Sequence, residues 1–446
     1  MQLKVYNRAE HPISRKNIDP DALKVLYRLY RAGHTAYLVG GGVRDMLLGR
    51  TPKDFDVATS ARPSQIKKIF KRGCHLVGRR FRLAHVRFGR DKIIEVSTFR
   101  REPDTESGAW DNDGSVNDDG YIYSDNTFGT PEQDALRRDF TINSMFYNIG
   151  DFSLQDYCGG LRDLNDRVIR TIGDPQVRFR EDPVRMIRAV KFCARLDFRM
   201  DAETWAGICD NCTAIANAST ARVQEEIRRL LESHCALRSF ELLDASGLLA
   251  ELIPELDQYL EHSFEKQVPE DSDCRLLWSL LSSLDTGLDS IEDREQRRDF
   301  ALEVLTLPLA VEAGLLRTGD CAEAVREAVN AMGNRLGFSK GLRAEIYQTY
   351  ALLGQIMLGS SRSDSQLMSK SLFPRAFQLY NMLGEAGTVP PEALGIWQQR
   401  WAAYLAKQDG AAKTNNSRQR AVKKCRSRRA GRHKSEAAAE AARRGA

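Results

Sequence analysis

The stretch LVGGGVRDMLLGRTPKDFDV, residues 38–57, decides the predicted fold. AYLVGG, which overlaps its start, is an apolar run typical of a short buried strand, and VRDMLLG has helical spacing and ends at Gly49. KDFDVATS then has the composition of a second strand. Farther along, ARPSQIKKIF is helical, and HLVGRRF, AHVRFG and KIIEVSTF predict more strands. The sequence therefore predicts an α/β domain.

Asp54 and Asp56 form the strongest local signal for chemistry. Alternate side chains of an extended strand share a face, so both carboxylates point to one side and Phe55 points to the core. Their Cα atoms are expected ~6.6 Å apart, close enough for the side chains to bind two divalent ions ~3.5–4 Å apart. A solvated strand end is the alternative, because two Asp residues at this spacing are common.

Gly40, Gly41 and Gly42 lie between the first strand and the helix, twelve residues ahead of Asp54. Glycines let backbone N–H groups approach phosphates, and the N-terminus of a helix favours anions. The pattern is neither the P-loop nor GxGxxG, so a simple tight turn is the alternative. Together with Asp54, the glycines predict a triphosphate site next to a metal site.

The rest of the chain changes character twice. Residues 101–133 contain nine acidic residues and one basic residue without periodicity, which predicts a long acidic flexible loop. Behind Asp182, a possible N-cap, Pro183 starts a series of helical patterns that continues through the second half. Residues 409–446 have no aromatic residue and predict a disordered tail. Residues 411–446 contain 12 Lys and Arg and two Glu, although the net charge of the whole chain is only +5.

Composition excludes several protein classes. With 446 residues, 42% hydrophobic and 28% charged, the chain is long enough for about three globular domains. It has no apolar run of the ~18 residues that a membrane helix needs and no secretory signal, so we expect a cytoplasmic protein without membrane association. The nine cysteines are scattered, as expected in a reducing compartment, and the lone pair Cys209 and Cys212 does not predict a zinc site.

Five stretches in a fixed order resemble the class II nucleotidyltransferases, the family of bacterial poly(A) polymerases and CCA-adding enzymes. They are LVGGGVRDMLLGRTPKDFDV, IIEVSTFR, RRDFTIN at 137–143, DYCGGLRDL and EDPVRMIRAVKFCARL. The resemblance covers about residues 11–233, half of the chain. It implies a polymerase-beta-like α/β head, an all-α neck and body, and the basic tail. The corresponding ranges are 1–175 for the head, 176–260 for the neck, 261–408 for the body and 409–446 for the tail.

The resemblance also implies the site residues. Asp54 and Asp56 bind two Mg²⁺ ions, ATP is the substrate, and either Asp139 or Glu95 is a third catalytic carboxylate. The sequence does not decide between these two acids. The glycine turn and the arginines, which pair bidentately with phosphate or form salt bridges with neighbouring acids, complete the predicted nucleotide site. The predicted nucleotide-binding residues are Gly40, Gly41, Gly42, Arg44, Asp45, Arg137, Arg138, Asn143, Asp182, Arg185 and Arg188.

Asp182 and Arg185 carry the base selection that the resemblance implies. A carboxylate only accepts hydrogen bonds and a guanidinium only donates them. Adenine and cytosine both offer an amine donor beside a ring-nitrogen acceptor, so the pair rejects U and G but does not separate A from C. HPISRKNID at 11–19 and LVGRRFRLAHVRFG at 76–89 are similar to stretches of bacterial poly(A) polymerases, which favours that branch.

The expected activity is therefore template-independent addition of AMP to RNA 3′ ends. The alternatives are a CCA-adding or A-adding tRNA nucleotidyltransferase and a non-catalytic RNA-binding protein with a nucleotidyltransferase-like head. The expected partners are RNA 3′ ends, ATP and RNA-decay proteins. The predicted RNA-binding residues are basic and lie before one strand or in the tail: Arg79, Arg80, Arg420, Lys423, Lys424, Arg426, Arg428 and Arg429.

Deletion of residues 411–446 tests the role of the tail. Its net charge of +10 attracts the phosphates of any RNA, so the truncated chain is expected to bind RNA more weakly and with a flatter dependence on salt. Fluorescence anisotropy with a labelled oligonucleotide over a salt series measures both quantities. An unchanged slope would show that the tail does not contact RNA.

Overall fold

The computed structural model describes residues 3–78, 82–89, 92–101, 114–116, 122–125, 127–265, 274–318, 323–358 and 364–408. The backbone divides into two compact units. The first unit comprises Met1–His262, Leu284–Leu302 and Met332–Gly337, and the second comprises Ser263–Ser283, Glu303–Ala331 and Phe338–Ala446.

The strands lie in the first 200 residues of the described chain. They are β1 (Lys4–Tyr6), β2 (Ala36–Val39), β3 (Asp56–Thr59), β4 (Cys74–Val77), β5 (Leu83–Phe88), β6 (Lys92–Thr98), β7 (Gly114–Val116), β8 (Ile122–Asp125), β9 (Met145–Asn148), β10 (Leu154–Asp156), β11 (Val168–Ile169) and β12 (Arg199–Met200).

Eight of these strands form one mixed sheet in the order β1-β10-β9-β2-β3-β6-β5-β4. β2 and β3 are antiparallel, and their register places Val39 opposite Asp56. The turn that follows β2 therefore lies at the start of β3. β3 and β6 are parallel with Val57 opposite Val96, so Glu95 lies beside Asp56 on the neighbouring strand. The pairing of the central strands thus brings the glycine turn and the acidic residues to one edge of the sheet.

Helices surround the sheet and make up the second half of the described chain. They are α1 (Pro20–Arg31), α2 (Gly41–Leu47), α3 (Pro63–Phe70), α4 (Pro131–Leu136), α5 (Gly160–Asn165), α6 (Pro175–Glu181), α7 (Val184–Leu196), α8 (Ala202–Asn211), α9 (Thr220–Leu231), α10 (Ala236–Ala245), α11 (Leu248–Leu252), α12 (Pro254–Glu265), α13 (Cys274–Gly287), α14 (Arg294–Glu312), α15 (Leu315–Thr318), α16 (Glu323–Leu336), α17 (Lys340–Leu358), α18 (Asp364–Met368), α19 (Phe373–Glu385) and α20 (391–408). No described helix combines the length and the apolar composition needed to cross a bilayer.

Apolar layers cover both faces of the central strands. On one face, α1 begins after the N-cap Asp19 and buries Val25, Leu26 and Leu29 at helical spacing. On the other face, the rings of Tyr37, Phe99 and Phe146 pack with centroids 5.7–6.3 Å apart. Because side chains alternate along β3, Ala58 belongs to this aromatic layer and Asp56 lies at its end. The core therefore supports the acidic edge directly.

The predicted α/β head and helical second half are confirmed, with local differences. The strand predicted over KDFDVATS begins only at Asp56, so Asp54 precedes it. Phe55 is partly exposed, and its ring lies beside Gly42 instead of entering the core. Strand alternation therefore did not predict this segment correctly, because its path is set by contact with α2.

The predicted loop 101–133 contains secondary structure. β7 and β8 pair with each other, and α4 starts within the segment at Pro131. Thr130 Oγ1 accepts from the Gln133 N–H while Gln133 accepts from the Thr130 N–H, a capping box that the sequence T-P-E-Q already signals. The loop prediction rested on the acidic composition of the whole segment and did not take this capping box into account. Most of the other residues of the segment lie outside the described part of the chain.

Two predictions around the neck need correction. Asp182 is not the N-cap of α7, since that position belongs to Pro183, and Asp182 instead follows α6. The predicted all-α neck also contains β12, which pairs with β11 in parallel. The predicted tail, residues 409–446, lies outside the described residues.

Candidate active site

A cavity of about 820 Å³ opens in the first unit beside the acidic edge of the sheet. The glycine turn, the start of β3, the RRD motif, α7 and α9 all contribute to its wall. Eleven Lys and Arg residues and six acidic residues line it. Such an excess of positive charge around a few carboxylates suits a polyanionic ligand.

Asp54 and Asp56 both line this cavity. Neither carboxylate has a hydrogen bond or an ion pair with any residue that the structure describes, whereas the other four acids of the cavity each contact an arginine. Burial and the negative charges of Glu95 and Asp54 raise the pKa of Asp56 to about 6. The pair thus forms a local concentration of negative charge that a cation would relieve.

The three glycines serve two purposes. Gly40 has φ +69° and ψ −139°, a conformation that favours glycine, and it lines the cavity together with Gly41. A Cβ at Gly40 would lie 3.8 Å from Asp56 Oδ2. Gly42 does not line the cavity, but a Cβ there would lie only 3.1 Å from the backbone oxygen of Asp54. Gly42 therefore allows the acidic segment to pack closely on α2.

A buried hydrogen-bonded chain connects α2 to α7 through the RRD motif. Arg44 Nε donates to Asp45 Oδ1 at 2.9 Å, and its Nη1 donates to Asn143 Oδ1 at 2.7 Å. Asn143 Nδ2 donates to Asp139 Oδ1 at 3.2 Å, and Arg188 Nε donates to Asp139 Oδ2 at 2.8 Å. The five predicted site residues in this hydrogen-bonded network therefore hold one another in place.

Asp139 and Glu95 have different surroundings. Burial alone raises the pKa of Asp139, but Arg188, Asn143 and the backbone of Phe140 together lower it to about 2. Glu95 is exposed, does not line the cavity and lies 3.5 Å from His85 Nε2. Asp139 is thus held by Arg188, Asn143 and the Phe140 backbone, and of these two acids it is Glu95 whose charge helps to raise the pKa of Asp56.

Arginines are concentrated beside the carboxylate pair. Burial and the neighbouring arginines lower the pKa of Arg137 to about 9. Arg138 Nη2 donates to Asp134 at 3.0 Å, and its guanidinium lies over the Phe146 ring at 5.0 Å. Mutual repulsion among guanidiniums is relieved by an anion, and guanidinium groups bind phosphate in a bidentate manner. The other arginines that act on Arg137 are Arg100, Arg178 and Arg185.

Asp182 and Arg185 both line the cavity, each with a partner of its own. Arg222 on α9 donates to both oxygens of Asp182 at 2.8 Å. Arg185 Nη1 donates to the Arg178 carbonyl at 3.1 Å and to Glu181 at 3.2 Å. The Asp182 carboxylate is therefore held in a fixed plane at the cavity wall.

The donor set of Asp54 and Asp56 fits a hard divalent cation. It consists of carboxylate oxygens alone, which hard cations prefer. Among the described residues no third His, Cys, Asp or Glu side chain joins the pair to form a complete protein-only metal site. Mg²⁺ is commonly bound through one or two carboxylates with phosphates and water completing its shell. The residues present therefore suit a magnesium ion that is bound together with a phosphate ligand.

Several cavity residues were not predicted from the sequence. Arg100 is the last residue of the IIEVSTFR stretch, so its place in that motif could have marked it as a candidate. Arg222 is 40 residues from its partner Asp182 and belongs to no motif that would have marked it. The guanidinium carbons of Arg44 and Arg188 lie 5.1 and 5.7 Å from the centroid of the Phe192 ring, which was also not predicted. The predicted RNA-binding residues Arg79 and Arg80 and those of the tail lie outside the described residues.

Comparison with known families identifies the class. Residues 36–170 match the family described as "Poly A polymerase head domain", and residues 197–260 match "Probable RNA and SrmB- binding site of polymerase A". The crystal structure of the Bacillus stearothermophilus CCA-adding enzyme in complex with CTP is similar to this fold, with a TM-score of 0.60 and 27% identity over 87% of this chain and 83% of that chain. The fold and the cavity thus define a nucleotidyltransferase.

Similarity to individual relatives is more specific. Poly(A) polymerase I of Salmonella typhi is 38% identical over 415 residues, which cover 90% of this chain and 85% of the relative. Poly(A) polymerase I of Escherichia coli O6:H1 is 46% identical over 295 residues, 64% of this chain and 60% of the relative's length. The chain belongs to the poly(A) polymerase I family.

Asp139→Asn is expected to lower the free energy of unfolding by about 3 kcal/mol at neutral pH, because it leaves the Arg188 charge without its counter-ion. The pKa of Asp139 is about 2 in the folded chain and ~3.9 when unfolded, so its contribution is present above pH ~4 and is lost as the pH falls towards 2. Denaturant unfolding at pH 7 and pH 3 measures both effects. Asp166→Asn, at an exposed acid, is the control, and an equal loss at both pH values would contradict the assignment.

Proposed function

We propose that the protein transfers AMP from ATP to RNA 3′ ends without a template. The observation that carries this proposal is that Asp54 and Asp56, alone among the cavity acids, have no protein partner among the described residues and lie beside the glycine turn. Similarity to poly(A) polymerase I over 90% of the chain supports RNA as the acceptor and ATP as the donor.

In this reaction the RNA 3′ oxygen attacks the α-phosphorus of ATP. A new phosphodiester bond forms while the bond to pyrophosphate breaks, so one nucleotide is added for each pyrophosphate released. Asp54 and Asp56 would hold two Mg²⁺ ions, which would supply a lower pKa for the attacking hydroxyl and charge neutralisation for the triphosphate and the leaving group. Arg137 and Arg138 hold the triphosphate, and Gly40 and Gly41 leave room for it next to the backbone.

Asp182 and Arg185 select the base in this proposal. Asp182 accepts from the exocyclic amine of adenine, and Arg185 donates to the adjacent ring nitrogen. Arg222 orients the Asp182 carboxylate through two hydrogen bonds, and that carboxylate presents acceptors to the base. Uracil and guanine present a carbonyl where the amine is required, and are rejected.

A CCA-adding or A-adding tRNA nucleotidyltransferase is the second candidate, because a CCA-adding enzyme has a similar fold. Sequence similarity to poly(A) polymerase I of Salmonella typhi covers 90% of this chain, whereas that to the CCA-adding enzyme of Bacillus licheniformis, at about the same identity, covers 53%, which favours polyadenylation. Incubation of a generic RNA, and of a tRNA without its terminal CCA, with ATP or CTP separates the two. Long A-tails on the generic RNA are expected, and C incorporation limited to the tRNA would contradict them. Cytoplasmic localisation and contact with RNA-decay proteins stay predictions.

Asp54→Ala is expected to abolish nucleotide addition while leaving the melting temperature nearly unchanged, because an exposed carboxylate with no ion pair or hydrogen bond to the described residues contributes little to stability. Primer extension with ATP and thermal unfolding measure the two quantities. Asp166→Ala, on the exposed end of α5, is the control and should retain activity. Retained turnover in Asp54→Ala would refute the metal assignment, and a wild-type chain that binds RNA without turnover would favour the non-catalytic alternative.

Arg222→Ala is expected to raise KM for ATP roughly tenfold and to lower the preference for ATP over UTP, with a smaller effect on kcat. The reason is that Asp182 loses the two hydrogen bonds that orient it. Steady-state kinetics with each nucleotide provide the measurement. Arg238→Ala removes an exposed arginine that pairs with Glu241 and should change neither value. If Arg222→Ala keeps the wild-type preference for ATP over UTP, base selection by Asp182 does not depend on its hydrogen bonds with Arg222.

A further inference from the structure

A second cavity, of about 660 Å³, lies on the opposite face of the same sheet. Its walls are α1, the ends of α3 and β5, and the turn between α3 and β4. Val57 pairs with Val96, which pairs with Ala84, so these side chains and Val86 share the face that α1 covers. Asp56 points to the other face because side chains alternate along β3. This cavity, the α1–β5 groove, is therefore separate from the candidate active site.

Four cations and no acidic residue line the α1–β5 groove: Lys24, Arg28, Arg31 and Arg87. Lys24 forms an ion pair with Asp21 at 2.8 Å at the N-terminal end of α1. Arg28 and Arg31 have no carboxylate within ion-pair distance in the part of the chain that the structure describes. The groove thus has positive charge that the protein does not neutralise, and it suits an anionic ligand.

Aromatic rings alternate with these cations. The Arg28 guanidinium lies over the Phe70 ring at 5.1 Å, that of Arg31 lies over Tyr27 at 5.9 Å, and Lys24 Nζ lies over Phe88 at 5.9 Å. Phe70 forms a buried floor, while Tyr27 and Phe88 stay partly exposed. The stacked guanidiniums are held in place by the rings and keep their N–H groups available for phosphate.

We propose that the α1–β5 groove binds a short segment of single-stranded RNA. Arg28 and Arg31 would contact successive phosphates, and a base would stack on Tyr27 or Phe88. Basic grooves interleaved with aromatic side chains are the usual means of binding single strands without sequence preference. The cations at positions 24, 28 and 31 follow one side of α1 over about 10 Å, a length that suits an extended strand. The concave shape favours a strand over a flat anionic bilayer.

This site goes beyond the proposed function, because it lies away from the catalytic carboxylates and binds RNA whether or not nucleotides are added. Its test is therefore a binding measurement on the full chain. A short oligoadenylate that carries one 4-thiouridine is crosslinked by light, and the crosslinked peptides are identified by mass spectrometry. Crosslinks are expected in residues 20–31 or 83–88. Their absence from both segments would overturn the proposal.

The double variant Arg28→Glu/Arg31→Glu provides the second arm. It is expected to abolish the groove crosslinks and, through the loss of two phosphate contacts, to flatten the salt dependence of RNA affinity by about 1.4 in log–log slope. Arg162→Glu/Arg238→Glu makes the same change in charge at two exposed arginines elsewhere in the first unit and should keep the crosslinks. Equal losses in both variants would overturn the proposal.

Two further measurements sharpen the outcome. The maximal rate of nucleotide addition, kcat at saturating primer and ATP, should be unchanged in Arg28→Glu/Arg31→Glu, since neither residue lines the candidate active site, whereas the KM for primer should rise. Failure of the proposed function would abolish turnover in every variant without affecting the crosslinks. Cosedimentation with phosphatidylserine vesicles that requires Arg28 and Arg31, in the absence of RNA crosslinks, would assign the groove to a membrane surface and contradict RNA binding.

Discussion

The antiparallel pairing of β2 with β3 is the constraint on which the rest of the site depends. Its register places Val39 opposite Asp56, so the turn at Gly40 begins where the acidic segment ends. Gly42 then allows the backbone of Asp54 to pack tightly against α2, where a Cβ would lie only 3.1 Å from the Asp54 oxygen and would push it away. A shift of this register by one residue would turn Asp56 into the α1 layer and remove the acidic edge altogether.

The charges of the cavity follow a simple division. Most of its acids are matched to arginines: Asp139 binds Arg188, Asp182 binds Arg222 and Asp134 binds Arg138. These pairs fix the positions of the helices and of the RRD motif around the cavity. Within the part of the chain that the structure describes, the two cavity acids without such partners are those at the glycine turn, and the eleven basic residues of the cavity outnumber its six acids. The cavity is thus organised for a polyanion that brings its own cations.

Sequence patterns predicted the local parts of this arrangement and not the tertiary pairings. β2, α2 and the glycine turn depend on neighbours a few residues apart, so periodicity was sufficient. The exception was Asp54, whose position is set by the packing of its backbone on Gly42 and not by strand alternation. Arg222 could not be predicted as the partner of Asp182, because that pairing depends on how α9 packs against α7. The different surroundings of Asp139 and Glu95 likewise could not be predicted, since Arg188 is 49 residues from Asp139, and which of the two is the third catalytic carboxylate stays a prediction.

The most direct test of this account is a crystal structure with Mn²⁺ and a non-hydrolysable ATP analogue. Anomalous density for manganese is expected between the carboxylates of Asp54 and Asp56, with the triphosphate extending along Gly40 and Gly41 towards Arg137. Manganese bound elsewhere, or a triphosphate far from the glycine turn, would contradict it.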